Sequence, residues 1–231
     1  MKKLLVITLS IIMMFAMSVP AFAADEQITN DYIKINKPAQ SATYYVGQKI
    51  SYSVKVTNPW GGTYWCRPFA ALMQGSNQIY YVPANYYLTS AGYNTFTGKF
   101  KTAGLSKGTY YFAALAMPIY PNTENEVGRG NQQYAGNTIH LKKLPKPSKV
   151  TLKTGKGKVT VKIKKVKAAK KYLVYRSLKK SSGYKKIGTT TSLKYVDKKA
   201  KKGKRYYYKV KSYRYGAKSA YTKAVRSKKV K

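Results

Sequence analysis

Nucleophilic catalysis needs a thiol, hydroxyl or amine held against a proton acceptor. This chain has one cysteine, Cys66, and one histidine, His140. His140 falls in "NTIHLKK", a segment patterned as a strand, where simple alternation accounts for it. A zinc site needs three or four ligands at suitable spacing, and one His, one Cys and six acids do not provide it. "PNTENEVG" presents Asn122, Glu124, Asn125 and Glu126 as oxygen ligands but lacks the ordered spacing of a calcium loop, so it reads as a polar loop. "TGKGKV" sets Gly155 and Gly157 beside lysines. It leads into a strand and lacks the GK[ST] ending of a phosphate loop, so it reads as a hairpin turn. No catalytic residue, metal ligand or cofactor is assigned, and the chain is read as a non-enzyme.

What the chain has in quantity is cationic chemistry. Lys and Arg number 45 against 6 Asp and Glu, a formal net charge of +39. The charge is uneven. Residues 24–142 hold ten Lys or Arg and five acids, whereas residues 143–231 hold thirty-three and one acid, Asp197, a net of about +32. In "KVTVKIKKVK", Val159, Val161 and Ile163 alternate with Lys158, Lys162 and Lys164, Thr160 standing among the lysines. That places the apolar residues on a core and the cations on water. Lysines on exposed strands also block edge-to-edge pairing, and a solvated coat is the simpler reading. Solubility, however, calls for a net charge of only about 2–8 on a small domain. An acidic partner is therefore expected. The candidate contacts are Lys158, Lys162, Lys164, Lys185, Lys186, Lys198, Lys199, Lys201, Lys202, Lys209 and Lys211. Lysine is a point charge without the fork geometry of arginine, which favours a general polyanion over one shaped ligand.

A second candidate surface is aromatic. "NPWGGTYWCRPF" places Trp60, Tyr64 and Trp65 in or beside a Gly-rich loop, and "IYYVPANYYLTSAGY" adds Tyr80, Tyr81, Tyr86, Tyr87 and Tyr93. Such rings offer apolar faces with polar tips on which sugars or peptide side chains stack. Ordinary core and rim packing is the alternative.

These residues need elements to hold them. Residues 1–23 read as a cleaved signal peptide: Met1-Lys2-Lys3, the apolar run "LLVITLSIIMMFAM", then Ala21-Phe22-Ala23 as an A-x-A site. Export follows, with no membrane span in the mature chain and with the cell wall as a site of retention. The single Cys66 forms no intrachain disulfide, so the folds must stand on their cores. Composition breaks at "LKKLPKPSKV", where Pro145 and Pro147 mark a linker over 143–148. That gives one domain over 25–142 and another over 149–231.

In the second domain "KVTLK", "KVTVKIKKV", "KYLVYRS", "GYKKIGTT", "SLKYVD", "RYYYKVKSYRY" and "AYTKAVRS" predict about seven strands. The run "GKVTVKIKKVKAAKKYLVYRS", with "YKKIGTT", "YVD" and "KKGKRYYYKVKSY", resembles a bacterial fibronectin type III domain across residues 147–231. It is most similar to the lysine-rich form in secreted and surface proteins of Gram-positive bacteria. The resemblance implies a β-sandwich, a corner tyrosine at Tyr206 whose hydroxyl returns to backbone, and inward Tyr208 and Val210. Ile163 stands where that family often has Trp. In the first domain "DYIKIN", "GQKISYSVKVTN", "RPFAALMQG", "NQIYYVP", "NTFTGKFK", "GTYYFAALAMP" and "NTIHLKK" read as strands, with Ile50, Tyr52, Val54 and Val56 on one face. "GLSKGTYYFAALA" resembles the late hairpin of bacterial immunoglobulin-like domains. The expected fold is all-β, two tandem β-sandwiches, immunoglobulin-like and then fibronectin type III-like.

Three functions stay open. In the first, the basic domain of a secreted or surface-associated binding protein holds anionic cell-wall polymers such as teichoic acids. In the second, residues 25–142 are a carbohydrate-binding or adhesin module. In the third, the lysines and tyrosines bind extracellular nucleic acid. The signal peptide and the absence of any helix-turn-helix, zinc-finger or RNA-binding signature weigh against the third.

Overall fold

The computed structural model describes residues 33–57, 64–75, 77–83, 87–89, 93–119 and 133–231. The signal-peptide segment, Trp60, Tyr86 and the loop with Asn122, Glu124, Asn125 and Glu126 lie outside the described residues. Every regular element among those described is a β-strand. Two compact units divide the chain, carried chiefly by Lys49–Lys101 with Ser106–Leu141 and by Lys142–Lys231.

The first unit contains β1 (Ile33–Lys37), β2 (Ala42–Tyr45), β3 (Lys49–Thr57), β4 (Tyr64–Gln74), β5 (Asn77–Pro83), β6 (Tyr87–Thr89), β7 (Tyr93–Lys101), β8 (Gly108–Ile119) and β9 (Gln133–Lys142). One sheet runs β1-β3-β7, and a second runs β2-β9-β8-β4-β5 with β6 also on β4. On β3, alternation delivers Ile50, Tyr52, Val54 and Val56 to the core, as the sequence indicates. Tyr52 lies 5.8 Å from Phe112 of the other sheet and 5.1 Å from Phe100, ring centre to ring centre. Aromatic pairs at such distances add roughly 0.5–1.5 kcal/mol each beyond area burial.

The second unit contains β10 (Val150–Gly155), β11 (Lys158–Ile163), β12 (Lys171–Ser177), β13 (Lys185–Thr190), β14 (Lys194–Asp197), β15 (Tyr207–Arg214), β16 (Ala217–Lys218) and β17 (Val225–Arg226). A three-stranded sheet, β10-β11-β14, and a five-stranded one, β13-β12-β15-β16 with β17 on β15, enclose one core. This is the sandwich architecture the fibronectin type III resemblance implies. The β10–β11 hairpin turns at Gly155–Lys158, with Gly157 at φ +60°, so the "TGKGKV" turn forms as expected. Val159, Val161 and Ile163 are buried, and Lys158, Lys162 and Lys164 are exposed.

The second core contains no Phe, because residues 143–231 have none. Val and Ile fill it together with Tyr172, Tyr206 and Tyr208, and each of these hydroxyls is tied. The Val166 N–H donates to Tyr172 Oη at 2.8 Å, and the Lys201 N–H to Tyr206 Oη at 3.3 Å. The second of these is the corner-tyrosine contact. Tyr208 Oη donates to Asp197 Oδ2 at 2.8 Å. A buried Tyr without such a partner would cost about 1–3 kcal/mol.

One expectation fails. "AYTKAVRS" reads as a closing strand, yet only Val225–Arg226 of it is strand, and the two-residue β16 precedes it. Here side-chain hydroxyls replace part of the backbone ladder. Ser219 Oγ, Thr222 Oγ1 and Ser227 Oγ accept the N–H groups of Ser212, Val210 and Tyr206, all at 2.9–3.0 Å. Ser219 and Thr222 are three residues apart, out of step with the period of two that a ladder needs.

Candidate polyanion-binding surface

The eleven candidate lysines are distributed around the second unit and do not converge on one point. Lys158 and Lys162 lie on β11, with Lys164 just past it. Lys185 and Lys186 lie on β13, and Lys209 and Lys211 on β15. Lys198 and Lys199 follow β14, with Lys201 and Lys202 in the loop beyond. All are exposed except Lys209 and Lys211, which are half-buried. On the three-stranded sheet Lys162 sits directly opposite Lys194 of β14. Like charges so paired destabilise a sheet by a few tenths of a kcal/mol or more.

The one acid of this unit does nothing to relieve that repulsion at the surface. Asp197 is 3% exposed. Its Oδ2 takes Arg176 Nη1 and Tyr208 Oη, each at 2.8 Å, and its Oδ1 takes the Lys199 N–H at 3.0 Å. Burial first, then the bond to Asp197, push the Tyr208 phenol far above its ordinary range, so it stays a donor. The solvent-facing surface of residues 143–231 therefore carries cations with no exposed carboxylate side chain. The field of such a surface is screened only by salt.

The five-stranded sheet adds a feature that local sequence did not reveal. Lys209 and Lys211 point outward with Tyr207 and Tyr213, by the alternation that sends Tyr208 and Val210 inward. Lys209 Nζ lies 4.2 Å from the Tyr184 ring centre, and Lys211 Nζ lies 4.0 Å from that of Tyr221. Lys171 Nζ is 4.5 Å from the ring of Tyr213, its cross-strand partner. Tyr175 meets Tyr221 edge to face at 5.0 Å. Burial, with its neighbour Tyr221 second, raises the Tyr175 phenol, and burial, with Tyr207 second, raises that of Tyr184. Both rings stay neutral at physiological pH. The result is a lattice in which lysine ammonium groups sit against tyrosine rings. Each cation–ring contact is worth about 0.5–1 kcal/mol at exposed sites.

The first unit's aromatic candidates are placed by backbone alone. Tyr64 and Trp65 open β4, Tyr80 and Tyr81 lie on β5, and Tyr87 opens β6 opposite Cys66. His140 stands on β9 opposite Thr109, with 3.4 Å between its Nδ1 and Thr109 Oγ1. Among the described residues no three of His, Cys, Asp and Glu gather into a metal-holding group.

No protein-family model matches the chain, and no curated protein matches it. Solved structures that it resembles include the fibronectin(III)-like modules of Clostridium thermocellum CbhA. There the identity is 16%, the TM-score 0.33, and the match covers 84% of this chain and 92% of that one. An Fn3-like protein from Clostridium thermocellum matches at 24% identity and TM-score 0.32, over 36% of this chain and 92% of its own. A two-domain fibronectin type III segment of chicken tenascin matches at 11% identity and TM-score 0.35, over 88% and 99%.

Proposed function

We propose that this chain is a non-enzymatic, exported binding protein whose basic second sandwich holds an anionic polymer of a Gram-positive cell wall. One observation carries the reading: the single acid among residues 143–231, Asp197, is buried against Arg176, so the other thirty-two Lys and Arg share a surface without an exposed carboxylate side chain. Self-repulsion of that size works against the compact state. A polyanion such as teichoic acid relieves it by bringing the missing negative charge. Many weak cation contacts on one rigid body then add up to strong, salt-sensitive retention.

The test is sedimentation of the full mature chain with Gram-positive walls, before and after extraction of teichoic acid, across a salt series. Retention should need the polymer and fade as the screening length falls from about 10 Å at 0.1 M to about 3 Å at 1 M salt. Equal retention on extracted walls sinks the proposal.

The Lys–Tyr lattice on β12, β15 and their flanks favours one second reading. Rings beside cations also suit single-stranded nucleic acid outside the cell, where bases stack and phosphates pair. Competition separates the two: single-stranded DNA that displaces the chain from walls at equal phosphate concentration would favour this reading. The carbohydrate or adhesin reading of residues 25–142 draws no support from the described side chains.

A further inference from the structure

At one end of the second sandwich a concavity of about 510 Å³ lies between the close of β12, the start of β13 and the loop entering β15. We propose that it is a discrete binding site for one anionic sugar-sized unit, a ring carrying a phosphate or carboxylate group. This deepens the wall-polymer reading and rests on it for the source of the ligand: surrounding lysines attract the chain, and the concavity seats one unit of it.

Charge is the first argument. Lys179, Lys185, Lys201 and Lys204 line the concavity, together with Arg176, and no acid does. Asp197 holds Arg176 through Nη1 alone. The Tyr206 ring lies 4.6 Å from the guanidinium carbon. The rest of that planar fork matches the two oxygens of a carboxylate or phosphate.

Shape and polarity supply the second. The volume falls within the range of small-molecule sites, about 300–1,000 Å³. Ile187 and Tyr206 give apolar lining, and Leu178 at the mouth is 63% exposed. Beside the lysines it adds an apolar contact that the ring face of an anionic sugar can use.

Rigidity is the third. Ser177 Oγ accepts the Lys179 N–H at 2.9 Å and donates to Ser182 O at 2.6 Å, which pins the β12–β13 loop. Across the concavity the Gly203 N–H donates to Val230 O at 2.8 Å, and the Tyr206 hydroxyl holds the Lys201 N–H. Walls already ordered lower the entropy cost of binding.

The experiment is amide NMR on the full mature chain at fixed ionic strength, titrated with glucose 6-phosphate, glucuronate, inorganic phosphate and glucose. One or both sugar anions should give saturable shifts confined to residues 176–187 and 201–206, and which one does identifies the anion. Inorganic phosphate should bind several-fold more weakly, and glucose should leave the spectrum unchanged. Arg176→Lys should weaken the sugar anion about tenfold through the lost fork. Leu178→Ser, at an exposed position that leaves folding intact, should weaken the sugar anion several-fold and leave inorganic phosphate unchanged. Shifts that spread over all lysine-bearing strands without saturating would overturn the site, as would a Leu178→Ser variant that binds like the parent. Wall retention without saturable shifts would reject the site and keep the polymer reading. Saturable shifts without wall retention would keep the site and reject the polymer reading.

Discussion

In the first unit the rings of Tyr52, Phe96, Phe100 and Phe112 meet inside the sandwich at 5.1–6.4 Å. In the second, Tyr175, Tyr184 and Tyr221 meet on the outside, among Lys209 and Lys211. The charge divides the same way, ten Lys and Arg against five acids over residues 24–142 and thirty-three against one over residues 143–231. Both units solve the packing problem with the inward half of each strand. A sandwich constrains that half and leaves the outward half open. The outward half of the second unit is where a partner's chemistry has room to be written.

The largest way to break this comparison is at the one inward carboxylate. Asp197→Ala should cost the second unit about 3–5 kcal/mol, because Arg176 and Tyr208 lose their partner in a buried site. Calorimetry should then show one transition lowered and the other unmoved, and unchanged melting would remove Asp197 from the account. Gly188→Ala comes next. The Tyr195 ring crosses Gly188 so closely that a Cβ there would clash with it, and Tyr195 Oη donates to Ile187 O at 2.7 Å. A loss of roughly 1–3 kcal/mol is expected from the displaced ring, read as a lower urea midpoint.

A pH scan sharpens the same contrast. The folded pKa of Tyr208 lies above its unfolded value of about 10, so its contribution is fully present below that pH. It is lost as pH rises through the folded value, since the unfolded chain ionises first. Lysine deprotonation relieves repulsion equally in the parent and in Tyr208→Phe, so relative to Tyr208→Phe the parent's second-unit transition should fall as pH rises above about 10. Parallel curves for the two proteins would contradict the assignment.

How much of this was legible depends on the range of the pattern. "KVTVKIKKVK" and "RYYYKVKSY" declare their inward residues by alternation alone, and Val159, Val161, Ile163, Tyr208 and Val210 are buried accordingly. The lattice was not legible in that way. Tyr221 is far from Tyr175 and Tyr184 in the chain; β12–β15 pairing sets Tyr175 beside Lys209, and the Thr222 N–H bond to Val210 O brings the Tyr221 segment alongside β15. The local density of rings near Trp60 pointed elsewhere. The outward positions of "YYYKVKSY" held the available signal, Tyr207, Lys209, Lys211 and Tyr213 in one row. Asp197 was visible as the lone acid, but its burial depends on Arg176 arriving from another strand. The broken closing strand escaped because Ser219, Thr222 and Ser227 look like ordinary polar residues until their hydroxyls meet β15.

The smallest stability effect is expected at the lattice. Lys209→Gln with Lys211→Gln should change folding stability by about 1 kcal/mol or less, since lost ring contacts are offset by relieved repulsion. Wall retention should nevertheless drop, in a salt-dependent way. A large stability loss with retention intact would make the lattice structural.

The central claim is that uncompensated cations on the second unit hold the polymer. Its most direct test replaces the nine exposed candidates, Lys158, Lys162, Lys164, Lys185, Lys186, Lys198, Lys199, Lys201 and Lys202, by Gln in the full mature chain. Retention on teichoic-acid-bearing walls is then measured at physiological salt. Near-complete loss, with both unfolding transitions preserved, is the predicted result. Undiminished retention would contradict the account and assign the lysines to a solvated coat.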